Sequence, residues 1–179
     1  MASLGFAIVG CGLIARFHAR AIQEVPGAKL LALVSRNQAN AKKLMDEDAF
    51  TYLDVRSEPE YAAGHPAGAH NVPLLHAGPG GMQPNPDFLE VVNGLYPKDT
   101  KLIVGCRSGQ RSARAADLLV EAGFTNVVDQ RAGYEGTRNA FGGVATPGWS
   151  QEALPSEQTS QGRSYAELLA TRELHRPRS

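Results

Sequence analysis

Short apolar runs recur along this chain, each followed by a helical stretch, and that rhythm constrains the fold more than any single motif. Gly5–Val9, Lys29–Val34, Phe50–Val55, Lys101–Val104 and Asn126–Asp129 are brief and rich in Val, Ile and Leu. Strands buried on both faces read this way, because helices cover both sides of a parallel sheet. Helical spacing follows in Leu13–Gln23, where Ile14, Phe17, Ala21 and Ile22 share a face, and in Gln38–Met45, Asp87–Leu95 and Ser112–Ala122. A short helix around Glu58–Ala63 and a short strand at Ala69–Val72 complete the series. Strand alternating with helix predicts an α/β fold: a doubly wound, mainly parallel sheet with helices on both faces. The Gly- and Pro-rich stretch 76–86 is expected to be a loop, 136–147 irregular, 156–162 a polar linker and 164–174 an amphipathic helix.

Composition narrows the range of functions. Lys and Arg number 18 and balance 18 Asp and Glu over 179 residues. That leaves no basic face of the kind a nucleic-acid or anionic-membrane binder needs. No apolar run approaches the roughly 20 residues that span a bilayer. The two cysteines, Cys11 and Cys106, supply neither a disulfide framework nor a zinc spacing, so no metal site is expected. Ile8-Val9-Gly10-Cys11 has the outline of a lipoprotein signal, but no Lys or Arg precedes it. The expectation is a cytoplasmic protein, monomer or homodimer, whose partners are small molecules rather than nucleic acid or membrane.

Two loops at strand ends carry chemistry. In the first, Gly10-Cys11-Gly12-Leu13-Ile14-Ala15 sets G-x-G-x-x-A between a strand and a helix. Gly10 permits the tight turn, Gly12 lets a pyrophosphate approach the backbone, and Ala15 lets the helix pack close. The next strand ends in Ser35-Arg36-Asn37, where Arg36 would suit the 2′-phosphate of NADP. The same loop also reads as a plain strand–helix connection with Cys11 as a small buried residue. Residues 5 to about 45, through Ala7–Ala15, His18 and Leu33–Arg36, resemble the opening βαβα of the glucose–fructose oxidoreductase and inositol dehydrogenase family. That family implies a Glu-Lys-Pro motif with a catalytic lysine and a large second domain. This sequence has no Lys-Pro pair, and within its length the second domain is not expected.

The second loop lies in Leu102-Ile103-Val104-Gly105-Cys106-Arg107-Ser108-Gly109-Gln110-Arg111-Ser112. A cysteine just after a buried strand and just before a helix sits where backbone N–H groups curl into an anion cradle. Those amides, with Arg107 and Arg111, are expected to lower the thiol pKa and hold an oxyanion. Cys106 is the candidate nucleophile, and Arg107, Ser108, Gly109, Gln110, Arg111 and Ser112 are its loop.

Around this loop stand Tyr52-Leu53-Asp54-Val55-Arg56, Glu58-Pro59-Glu60-Tyr61, Gly64-His65-Pro66-Ala67-Gly68-Ala69-His70-Asn71-Val72-Pro73 and Ala132-Gly133-Tyr134. In this order they resemble a single-domain rhodanese over about residues 47 to 155. The resemblance implies a double displacement. The Cys106 thiolate takes the outer sulfur of thiosulfate, releases sulfite, and passes the sulfur from a persulfide to cyanide or a thiol. No cofactor is required. It further implies that Arg111 braces the loop against an upstream carboxylate, with Asp54 the first choice and Arg56 and Glu60 in structural ion pairs. Arg107 would face the pocket mouth and select substrate charge, and His65 and His70 would be turn or packing residues.

Two other readings stay open beside sulfur transfer. Cysteine-dependent phosphatases and arsenate reductases of related fold resemble Cys-x5-Arg, a wider ring that admits a tetrahedral phosphate. Here four residues separate Cys106 from Arg111, and the count favours sulfur. The alternative is a recombined or engineered chimera, a structural scaffold or NADP-binding module without sulfur transfer; the intact Cys106 argues against it. The division expected is a partial Rossmann-type βαβα segment over 1–46, a rhodanese-like domain over 47–155, and a polar tail with a short helix over 156–179. The joint near Asp46-Glu47-Asp48 has no Pro/Gly/Ser linker, so both parts are expected to share one sheet.

Overall fold

The structure is a computed structural model that describes residues 4–9, 21–22, 24–26, 28–35 and 38–174. In chain order its elements are β1 (Leu4–Val9), β2 (Ala28–Ser35), α1 (Gln38–Asp48), β3 (Thr51–Asp54), α2 (Glu58–Ala63), β4 (His65–Pro66), β5 (His70–Asn71), β6 (Leu75–Gly78), β7 (Gly81–Pro84), α3 (Phe88–Leu95), β8 (Lys101–Gly105), α4 (Gln110–Glu121), β9 (Asn126–Gln130), β10 (Thr137–Arg138), β11 (Val144–Thr146), a 3-10 turn at Trp149–Gln151, β12 (Ser156–Glu157) and α5 (Tyr165–Leu174).

Six strands form one sheet in the order β1-β2-β9-β8-β3-β5, and every neighbouring pair is parallel. The N-terminal strands therefore extend the same sheet as the cysteine-bearing strand, as expected. Successive side chains of a strand point to opposite faces, and the core divides accordingly. Leu53, Leu102, Val104 and Val127 pack with residues of α3, α4 and α5. Tyr52, Ile103 and Val128 pack on the other face with Ala41, Tyr61, Ala69 and Trp149. Both faces are covered, which is why the strand sequences lack a polar side.

Two stretches read as loops in the sequence are hairpins. Leu75–Gly78 pairs antiparallel with Gly81–Pro84 across a Pro79-Gly80 turn, so 76–86 is ordered rather than a plain loop. Pro84 stands at the open end of this separate two-stranded unit, where a missing donor costs little. Within 136–147, Thr137–Arg138 pairs with Val144–Thr146, and the Asn139 carboxamide oxygen accepts the N–H groups of Phe141 and Gly143. Most of the helix expected at 13–23 lies outside the described residues.

The C-terminal segment is built into the fold. β12 pairs antiparallel with β4. Ser164 and Glu167 then cap α5 reciprocally: the Glu167 carboxylate takes the Ser164 N–H, and the Ser164 hydroxyl takes the Glu167 N–H. α5 sends Tyr165 and Leu168 into the core, 7% and 6% exposed. Among the described residues, no helix is long and apolar enough to cross a membrane. Leu168→Ala is expected to destabilise the fold by about 2–4 kcal/mol. Urea unfolding should show this as a lower midpoint at unchanged slope.

Candidate active site

The carboxyl ends of the parallel strands finish in one row. Asn71 stands opposite Asp54, Asp54 opposite Gly105, Gly105 opposite Gln130, and Gln130 opposite Ser35. Beyond this row the chain leaves the sheet into loops, and the carboxyl ends of the strands are the usual place for a ligand in an open parallel sheet.

Cys106 is the first residue past the row on β8. It is a free thiol, 2% exposed. Its Sγ accepts the Gly109 N–H at 3.1 Å and lies 3.6 Å from the Ser112 hydroxyl, which donates to the Gly109 carbonyl at 3.2 Å. Gly109 has φ 93°, and a Cβ there would stand 2.0 Å from the Arg131 carbonyl oxygen. Only glycine turns left-handed here and fits, and that turn aims its N–H at the sulfur. α4 begins at the next residue, so the positive end of the helix backs the loop.

A second turn holds the loop from behind. Tyr134 N–H donates to the Cys106 carbonyl at 2.7 Å and Glu135 N–H to the Arg107 carbonyl at 2.9 Å. Gly133 lies so close that a Cβ would meet the Arg107 carbonyl carbon at 2.4 Å. The turn is fixed in its own right by the Gln130 carboxamide, which accepts the Gly133 N–H at 2.8 Å.

The two arginines of the loop have different tasks. Arg111 donates through both Nη atoms to Glu60, each at 2.6 Å, and not to Asp54, the partner the sequence suggested. Asp54 is taken by Arg56: the Arg56 Nε lies 3.0 Å from both carboxylate oxygens, Nη2 lies 2.6 Å from Oδ2, and the Arg56 N–H donates to Oδ1. The physical reason is proximity: Asp54 and Arg56 lie two residues apart at a strand end and fold onto each other. Glu60 projects from the first turn of α2, where Ser57 also binds it. Burial alone would raise the Glu60 carboxyl, but Arg111 and Ser57 outweigh it and bring it down to about 2. Arg107 is exposed, and its Nε donates to Glu135 at 2.6 Å. Ser108 and Gln110 are exposed, and Ser112 is buried.

The Asp54–Arg56 pair is out of water, with 1% and 3% side-chain exposure. Arg56 also donates to the Gly64 carbonyl at 2.7 Å and lies 4.2 Å from the Tyr134 ring centroid. Burial works against its charge, but Asp54 holds it on. His65 is stacked on Tyr61 with centroids 3.6 Å apart, and His70 is bonded to the Tyr96 hydroxyl, so both are packing residues as expected.

Gly10, Gly12, Ala15 and Arg36 lie outside the described residues; Ser35 is placed only as the last residue of β2. Sequence reasoning missed Glu135 and the buried Asp129, whose carboxyl burial pushes up. Their only sequence signal is position, either side of Ala132-Gly133-Tyr134. As assembled, the sulfur lies under a backbone N–H and beside a helix start, dipoles that favour negative charge placed there.

These features define a parallel α/β domain that presents Cys106 in a loop between a buried strand and a helix start. The rhodanese-like domain model matches residues 37–140, and the chain belongs to that family. A second model, the oxidoreductase family with an NAD-binding Rossmann fold, matches residues 4–67. Thiosulfate sulfurtransferase 16, chloroplastic, of Arabidopsis thaliana is 42% identical over 106 residues, covering 59% of this chain and 78% of that protein. The senescence-associated protein DIN1 of Raphanus sativus is 38% identical over 109 residues, 61% of this chain; the match spans about half of that relative, 53%. The crystal structure of Rv0390 from M. tuberculosis superposes with a TM-score of 0.58 at 30% identity, covering 72% of this chain and 98% of that one.

Gly109→Ala is expected to slow alkylation of Cys106 by about tenfold or more, because moving the amide removes a charge-assisted bond to sulfur. Rates with iodoacetamide would measure it. Glu60 carries a depressed pKa, so its contribution to stability is complete above its ordinary value of 4.5 and is lost as pH falls toward about 2. Urea midpoints of wild type and Glu60→Gln should therefore converge across that window.

Proposed function

We propose that this chain moves a sulfane sulfur from thiosulfate, or a similar anionic donor, to a thiophilic acceptor through a persulfide on Cys106. The observation that carries the reading is the Gly109 N–H donated to Cys106 Sγ at 3.1 Å, within a loop closed by the Arg111–Glu60 pair. The family and the name of the Arabidopsis relative support the same class of reaction.

In the first half, the Cys106 thiolate attacks the outer sulfur of thiosulfate. A new S–S bond forms, the old one breaks, and its electron pair leaves with sulfite. The loop amides and the start of α4 face the negative charge of the persulfide that remains. In the second half, cyanide or a thiolate attacks the outer persulfide sulfur, and the pair of the breaking bond returns to Cys106. Charge balances in both halves without an added oxidant, proton donor or cofactor. Phosphoryl transfer fits less well: the loop has four residues between Cys106 and Arg111, and Glu60, the carboxylate that meets the loop at Arg111, is held ionised. It lacks the proton that a departing alkoxide requires.

Supplied with thiosulfate and cyanide, the wild type is expected to release sulfite and thiocyanate in equal amounts, and Cys106→Ser to fall to background. A chain that hydrolyses a phosphate ester but releases no thiocyanate, or a Cys106→Ser variant with full activity, overturns the reading.

A further inference from the structure

We propose that Glu135 is a built-in counter-anion that competes with anionic donors for Arg107, and so sets which donors reach Cys106. This rests on the reading of the Cys106 loop as the reacting site. Arg107 directly follows Cys106. The Glu135 N–H grips the Arg107 carbonyl at 2.9 Å, while the Arg107 Nε donates to the Glu135 carboxylate at 2.6 Å. Backbone and side chain thus form one clamp, so wherever the loop is in place this carboxylate stands beside its first arginine.

The loop's two arginines differ in whether they can let go. Arg111 and Glu60 are bound by two parallel bonds and have 16% and 22% side-chain exposure. Arg107 and Glu135 share a single bond at 59% and 49% exposure, so water and salt compete with the pair. Arg107 is the exchangeable cation of the loop. An anionic donor reaches it by displacing Glu135, whereas a neutral reagent has nothing to displace. Once sulfur has passed to Cys106, Glu135 re-forms its bond and competes the departing anion away from the mouth.

Iodoacetate and iodoacetamide alkylate a thiolate by the same displacement and differ in charge, so their rate ratio at the Cys106 peptide, read by mass spectrometry, isolates anion attraction. The neutral reagent corrects each variant for any change in the thiol itself. Glu135→Gln is expected to raise the iodoacetate-to-iodoacetamide ratio about two- to fivefold. Arg107→Gln should lower the ratio below that of wild type, and added salt should erase the gap between wild type and Glu135→Gln. A ratio in Glu135→Gln equal to wild type overturns the proposal. Alkylation needs only the thiol, so the ratio is readable even in a chain that transfers no sulfur. Where sulfur transfer does occur, the same variant should lower the KM for thiosulfate by a similar factor, without a matching change in kcat.

Discussion

A charged pair held out of water, Asp54 with Arg56, is the constraint around which the loops above the sheet are arranged. Leaving either charge alone in that setting would cost about 3–5 kcal/mol, so every remaining lone pair and proton needs a partner. Each partner is a piece of loop. Arg56 fixes the Gly64 carbonyl at the end of α2, and its guanidinium covers the Tyr134 ring in the turn behind the cysteine. The Asn71 carboxamide donates to the carbonyls of both Asp54 and Arg56 and so ties β5 to the same point. The Asp54–Arg56 strand end thus ties together α2, the β5 end and the 133–135 turn, and two of these, α2 and the turn, hold the Cys106 loop.

The loop itself is held by two grips from opposite sides. The Tyr134 and Glu135 amides hold its back, and Arg111 reaches forward to Glu60 on α2. Between them, the left-handed Gly109 presents its N–H to the sulfur. Preorganised dipoles of this kind stabilise charge without having to reorient when it appears. The helix start gives direction, the two grips give rigidity, and the Arg107 side chain is left exposed, bonded to Glu135.

Much of this was legible in the sequence. The apolar runs located the strands of the sheet to within a residue or two, because burial on both faces leaves a local signature. The cysteine loop was legible for a similar reason: strand, Gly-Cys, arginines and helix are contiguous. What failed was whatever depends on where a side chain turns on leaving the sheet. Asp54 and Glu60 are both carboxylates upstream of Arg111; only the path of the chain through Ser57 into α2 shows that Glu60 faces the loop. The Arg107–Glu135 pair spans 28 positions and carries no periodicity. The hairpins at 75–84 and 137–146 hid for another reason. Their Gly and Pro content marks turns correctly, but the pairing strands are only two to four residues long.

The N-terminal strands show how a segment resembling a dinucleotide fold joins a rhodanese-like sheet. The two family models overlap over residues 37–67, so α1 and β3 satisfy both descriptions. β2 lies parallel to β9, with Leu33, Val34 and Ser35 opposite Val128, Asp129 and Gln130, and β1 adds one more parallel strand outside it. Doubly wound sheets share the handedness of their βα units and the spacing of their layers, so another unit can be added at an edge without disturbing the interior. The register carries the consequence. Because Ser35 is opposite Gln130, and Gln130 opposite Gly105, the end of β2 falls in the same row as the residue before Cys106. The N-terminal strands thus continue the row of strand ends beside which the candidate nucleophile stands.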